Sequence, residues 1–421
     1  MEKIKKIYGQ IEKKYENCLY KKLCLDYLYL VILGIYLFFY FADTTMFEIM
    51  WPSDFTWVLR LITLIIVLLR FLSYKDNVEL KDIVLIFFTM TIFLAVWHRT
   101  GYNILYDTAL LLAGAFQINY RKILKVYLLV CIPFLIYTII ASQIGIVTNL
   151  IYNQHGRIRE SFGFVYPTDF AAHVFYIFAT WVLIRELKCS IIELFIMLLT
   201  VILLNFFSDT RCSEIAIVLL VLGVLVLKFK HKLAINIKIA KALSKIFKIV
   251  CMILPFLLAV FMTFLCRFYN PSNTIMAFVN SILSQRLKLG KKIFDYYDIQ
   301  IWGQYVQMSG NGGSLEQPAD YTFIDCSYIN ILMRFGILIF CIVIFILWCI
   351  MIKNYNNVFI LGILMLICIH SMIEHHLFEF YYNIFIILPL ALFNKHFIER
   401  TNTGVLKCIK NRMIIDKNYK S

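Results

Sequence analysis

The residues that could do chemistry fall into short polar clusters set in an otherwise apolar chain. Arg157 and Arg159 precede Gly163-Phe164-Val165-Tyr166-Pro167-Thr168, and Asp169, His173, Tyr176 and Thr180 follow at i, i+4, i+7 and i+11. On a helix those four share one face. They form either a working polar stripe or a buried, hydrogen-bonded one that orients helices. Ser208-Asp209-Thr210-Arg211 offers helix caps in Asp209 and Thr210. Arg211 then stands at a helix N-terminus, a place favourable for anions, or snorkels to the interface as an anchor. Ser284-Gln285-Arg286-Leu287 opens a basic cluster with Lys288, Lys291 and Lys292. Arginine grips phosphate in a bidentate fork and lysine acts as a point charge, so this cluster suits a diphosphate or lipid headgroup, unless it is a solvated face. Asp325, in Tyr321-Thr322-Phe323-Ile324-Asp325-Cys326-Ser327-Tyr328, reads either as a general base toward a hydroxyl or as a helix N-cap. Arg334 falls half a helical turn away from Asp325 and is read as structural. Glu374, His375, His376 and Glu379 collect metal-ligand types. Adjacent histidines diverge on a helix, however, and the spacing is not H-E-x-x-H, so no metal is expected.

The elements that must position these groups are membrane helices. Of 421 residues, 61% are apolar and 16% charged, against about 45–50% and about 25% in soluble domains. That excludes a soluble enzyme, a DNA-binding protein and a disordered scaffold. A span needs about 20 apolar residues, and twelve segments qualify: 27–42, 55–73, 82–97, 104–118, 124–142, 167–184, 190–207, 213–227, 249–266, 326–350, 357–372 and 381–394. With the N-terminus inside, 29 of the 41 Lys and Arg fall on the inner side and 9 on the outer, with Arg60, Arg70 and Arg334 inside spans. The asymmetry puts both termini in the cytoplasm, and the net charge of +15 is mostly topology signal.

The expected organisation is a basic amphipathic N-terminus over 1–26, spans one to nine over 27–266, a large extracytoplasmic loop over 267–325, spans ten to twelve over 326–394 and a basic tail over 395–421. Ile4, Ile7, Ile11, Tyr15 and Leu19 recur at helical spacing and suit an interfacial helix, as does 235–248. The N-terminus carries no A-x-A-like cleavage site. Twelve scattered cysteines without C-x-x-C suggest neither disulfides nor zinc. The long loop reads as an amphipathic helix ending in a flexible Gly/Ser-rich stretch, Ser309 to Ser314. No P-loop or G-x-G-x-x-G is present, so no nucleotide substrate is expected.

Taken in order, these clusters resemble the Wzy-type O-antigen and capsular polysaccharide polymerases of bacteria, relatives of the O-antigen ligases. Arg159 through Thr168 looks like the family's Arg…Gly-Phe-x-His-Pro-Asn, with Tyr166 and Thr168 in place of His and Asn. Ser208 to Arg211 is similar to its Ser-Arg-Gly, here without the glycine. Gln285-Arg286-Leu287 with Trp302-Gly303 looks like Gly-Arg…Gly, and Asp325 through Gly336 like Asp-Ser-x-Tyr…Leu-Leu…Gly. The resemblance implies an all-α, C-type glycosyltransferase in the bacterial cytoplasmic membrane, acting on its outer face. It would join oligosaccharides carried on undecaprenyl diphosphate, as both donor and acceptor, for a capsule, exopolysaccharide or O-antigen. Neither metal nor other cofactor would be needed, and no nucleic acid would be bound. A flippase and a chain-length regulator would be its protein partners. Asp325 would be the catalytic base, Arg159, Arg211 and Arg286 the diphosphate ligands, and Tyr166, Asp169, His173 and Tyr328 the substrate contacts. The alternatives are a ligase of the same superfamily, in which His commonly takes the Asp position, and a lipid-linked oligosaccharide flippase. The absence of an internal repeat weighs against a transporter.

Overall fold

Hydrocarbon offers backbone groups no partners, so an apolar run satisfies itself as a helix. The computed structural model describes residues 2–48, 52–74, 80–154, 156–229, 237–316 and 318–390. Thirteen α-helices run through them: α1 Glu2–Ala42, α2 Ser53–Ser73, α3 Leu80–Thr100, α4 Asn103–Gly114, α5 Tyr120–Gln143, α6 Pro167–Arg185, α7 Ile191–Phe207, α8 Arg211–Phe229, α9 Ile237–Arg267, α10 Thr274–Ile282, α11 Arg286–Tyr296, α12 Ser327–Lys353 and α13 Val358–His370. Eight of them (α1, α2, α3, α5, α6, α8, α9 and α12) are long and apolar enough to cross a membrane. Exposed apolar side chains such as Leu72, Phe87, Ile192 and Phe206 face outward from the bundle, as lipid contact requires. This is an all-α membrane protein.

The other four expected segments are shorter or broken. α4, α7 and α13 have 12, 17 and 13 residues, so at ~1.5 Å per residue none matches the ~30 Å of hydrocarbon. Segment 381–394 starts as a turn with a short 3-10 piece at Ile384–Ile387, and 391–394 lie outside the described residues, as does the tail 395–421. The two amphipathic stretches are not separate interfacial elements either. The N-terminal segment runs without a break into the first span as α1, and 237–248 into the ninth as α9.

α6 is the most enclosed spanning helix, packed against α5, α8 and α13. Its polar stripe faces inward: His173, Tyr176 and Thr180 are fully buried. Irregular backbone within a membrane protein survives only inside protein or beside a cavity, and the stretch between α13 and Leu390 is mostly buried. After His370 the chain turns through 371–383 rather than continuing as helix. Ser327 holds that turn from α12. Its N–H donates to Ser371 O, its hydroxyl donates to Glu374 O, and it accepts from Leu377 N–H.

The two long loops cover one end of the bundle. Ile151–Gln154 (β1) pairs antiparallel with Arg157–Glu160 (β2). In the second loop the single amphipathic helix expected is two, α10 and α11, broken where Ser284 and Gln285 adopt positive φ. The loop then plugs into a kink in α12. Gly336 has φ 82°, and Ile337 and Leu338 donate their N–H groups to Gln300 O and Ile301 O. A Cβ on Gly336 would sit 2.3 Å from Gly303 N, and one on Gly303 2.6 Å from Arg334 O. Only two glycines let the backbones approach this closely.

Candidate active site

Asn280 is the residue that sets Arg286. Nearly fully buried, its side-chain oxygen accepts from Leu287 N–H and Lys288 N–H, capping α11 so that Arg286 is its first residue. Arg286 Nε donates to Ile373 O at 2.8 Å, which ties the loop to the 371–383 turn. Its Nη1 lies 3.2 Å from Asp325 Oδ2, both side chains largely buried. The pair is an ionic contact without hydrogen-bond alignment, since Asp325 Oδ2 has no hydrogen-bond partner. Burial pushes the Asp325 carboxyl above the usual carboxylate range, against the pull of Arg286. A buried carboxylate with a free lone pair and a raised pKa, beside a guanidinium at a helix N-terminus, can accept a proton while the cation holds an anion.

The turn after α13 supplies a second layer. Glu374 is buried with Oε2 unpartnered. Burial pushes its carboxyl up to about 7, opposed by Arg286 and helped by Asp325, with Arg159 also pulling it down. Two of the three expected arginines, one on β2 and one on α11, therefore act on the same carboxylate. His376 Nδ1 lies 3.0 Å from Glu379 Oε2 and His375 Nε2 3.6 Å from the same oxygen. Burial drives both imidazoles down to about 3, so both are neutral. The expectation of diverging histidines rested on a helix; in the observed turn both rings face Glu379.

The remaining expected residues divide. Arg159 is buried, donates from Nε to Ser208 O at 3.0 Å and stacks over the Tyr166 ring. Asp169 reaches the turn, with Oδ1 3.7 Å from His376 Nε2. His173 is sandwiched between Phe41 and Tyr382, each ring 3.9 Å away, and bonded to Thr44. Tyr328 is fully buried and donates to Cys368 O, where it ties α12 to α13. Arg211 lies apart: its side chain is 70% exposed and leans on Asp209, which also takes Arg157 at 2.7 Å. Although burial opposes it, Arg157 holds the Asp209 carboxyl below its ordinary range. Asp209, with φ 42°, is left-handed rather than helical, so it works as a bridge between two arginines. The basic cluster is partly spent on its own loop, Lys291 on Asp295 and Lys292 on Asp320.

On the other side of the turn a cavity of about 590 Å³ opens, lined by Tyr40, Trp57, Tyr102, Asn330, Tyr381, His375 and Glu379 among others. Its charged floor is Arg60, bound bidentately to Asp107 at 2.7 and 2.9 Å, with Arg334 over the Tyr102 ring at 4.2 Å. Aromatic walls with a few fixed polar groups suit a small polar organic ligand.

No family model, curated protein or solved structure matches this chain.

Several of these residues were missed from sequence. Ser327 and Glu374 sit inside quoted motifs, but nothing marked their contact across 47 positions. Arg334 was set aside on helix geometry, yet Asp325 lies before α12 begins, and Arg334 lines the cavity with its Nε unpartnered. Arg60 and Asp107 carried a usable signal: two opposite charges inside apolar segments must find each other or pay the full cost of desolvation.

Proposed function

We propose that this chain is a polysaccharide polymerase joining undecaprenyl-diphosphate-linked repeat units at the outer face of the bacterial cytoplasmic membrane. The observation that carries the reading is the buried Arg286–Asp325 pair, 3.2 Å apart at the N-terminus of α11 and beside Glu374. It gathers at one spot the two motif residues that the resemblance marks for base and diphosphate. Asp325 takes the proton from the acceptor hydroxyl, and that oxygen bonds to the anomeric carbon of the donor. The bond to the diphosphate breaks with its electron pair staying on the diphosphate oxygen. The transition state is oxocarbenium-like, as in glycoside hydrolysis, and the charge growing on the leaving group is met by Arg286 and, from β2, Arg159. Arg211, exposed and turned to Asp209, steers the carrier at the rim. The 590 Å³ cavity on the far side of the 371–383 turn has room for sugar rings.

The test is the size distribution of lipid-linked and surface glycan in a strain lacking the chain. Single repeat units on the outer face without long chains support the polymerase. Full-length polymer left on its carrier means a ligase, and units trapped on the inner face mean a flippase.

A further inference from the structure

The 371–383 turn holds an arrangement that proton transfer does not use. Glu379 Oε2 lies 3.0 Å from His376 Nδ1 and 3.6 Å from His375 Nε2. The carboxylate thus holds His376 through Nδ1, and the His375 ring lies just beyond its hydrogen-bond reach. The opposite nitrogens, His375 Nδ1 and His376 Nε2, are buried and have no hydrogen-bond partner. Asp169, from the first turn of α6, brings Oδ1 to 3.7 Å from His376 Nε2, beyond hydrogen-bond reach. Asp169, His375 and His376 can each offer one ligand atom with all three within 4.8 Å of one another.

We infer that Asp169, His375 and His376 bind a divalent transition-metal ion of the zinc class, with Glu379 as the carboxylate that orients the His376 imidazole.

Three observations converge on this. Buried polar atoms are nearly always partnered, so two orphaned imidazole nitrogens beside one carboxylate call for a shared partner. Metal-bound histidines characteristically give their other ring nitrogen to a carboxylate, which is what Glu379 receives from His376. Asp169 comes to the same point from another helix, its Oδ1 3.7 Å from His376 Nε2, with one ligand atom of each of the three residues within 4.8 Å of the others. Two nitrogens and one oxygen suit zinc, with a fourth position open. Zinc bonds of about 2.0–2.1 Å place tetrahedral ligands about 3.3 Å apart, a contraction that side-chain rotation supplies.

The inference does not depend on the proposed polymerase activity, whose chemistry needs no metal, and it holds or falls by metal content alone. The full-length protein, purified in detergent with a histidine-free affinity tag, is analysed for bound metal, stripped with a chelator and titrated with Zn²⁺ and with Co²⁺. The expected result is one tightly held equivalent per chain and the visible absorption of a four-coordinate Co²⁺ site. Asp169→Asn and His376→Gln each lower occupancy more than tenfold, and Glu379→Gln weakens affinity about 10–100-fold without abolishing it. Size-exclusion profiles of the variants separate lost metal from lost fold. Because Co²⁺ reloading uses the unmutated chain, the test stands even where a variant does not fold. A wild-type protein that carries no metal and takes up neither ion overturns the inference, as does full occupancy in folded Asp169→Asn and His376→Gln.

Discussion

Two buried arginine–aspartate pairs at opposite ends of the bundle show how the same residue types come to do different work. At one end, Arg70 pairs with Asp26, donates to Phe116 O at 2.6 Å and lies against the Tyr29 and Tyr74 rings. The Tyr74 hydroxyl, 3.2 Å from both Asp26 oxygens, completes the carboxylate. Neither side chain has a buried atom left without a hydrogen-bond partner, and the pair locks α1 to α2 and to the turn after α4. At the other end, Arg286 meets Asp325 without alignment, Asp325 Oδ2 has no hydrogen-bond partner, and the neighbouring turn carries further orphaned atoms in Glu374 Oε2, His375 Nδ1 and His376 Nε2. A saturated pair is a fastener. An unsaturated one, built on a broken helix and two loop helices, leaves buried polar atoms that a bound group would answer.

The largest effect should come from breaking the fastener. Asp26→Asn leaves Arg70 buried without its anion, which costs about 3–5 kcal/mol. Thermal unfolding in detergent and membrane protein level should both fall, while glycan made per folded molecule stays at the wild-type length. Next, Arg286→Gln should cut polymerisation about 10²–10³-fold, the scale of losing one charge-stabilising donor, with the protein still folded. It also shifts the pH profile in a defined direction. As the proposed base Asp325 would work deprotonated, and its pKa is raised, so activity should be lost as pH falls through that value. Arg286 pulls the value down, and its removal moves the acid limb to higher pH. Gly336→Ala should cost about 1–3 kcal/mol of stability, because φ 82° strains any other residue and the new Cβ meets Gly303 N at 2.3 Å. The smallest effect belongs to Arg211→Gln. Its exposed pair with Asp209 is worth at most about 1 kcal/mol, and polymerisation should change less than threefold.

The sequence reading anticipated the helices, since runs of apolar residues in a membrane have one solution. It also picked out Arg286, Asp325 and Arg159, because charges at the membrane boundary are costly and stand out. The turn after His370 was hidden. The expected spans left 373–380 between them, but hydropathy says nothing of how such a stretch folds when its residues Ile373, Leu377 and Phe378 are themselves apolar. With that turn went Glu374 and the common orientation of His375 and His376. Arg211 does open α8, as its residue type and place suggested, but the side chain is exposed and the left-handed Asp209 ahead of it draws both Arg157 and Arg211 to itself. The meeting of Gly303 with Gly336 was equally out of reach, since two glycines 33 residues apart signal nothing until their backbones touch.

The central claim, that the unsaturated end is where glycan is joined, is tested most directly with Asp325→Asn. The variant is expressed at wild-type level in a strain lacking the chain, and the length distribution of lipid-linked and surface glycan is measured. Loss of the base predicts single repeat units and a drop of about 10²–10⁴-fold in polymer. Polymer of normal length and amount from that variant would contradict the account.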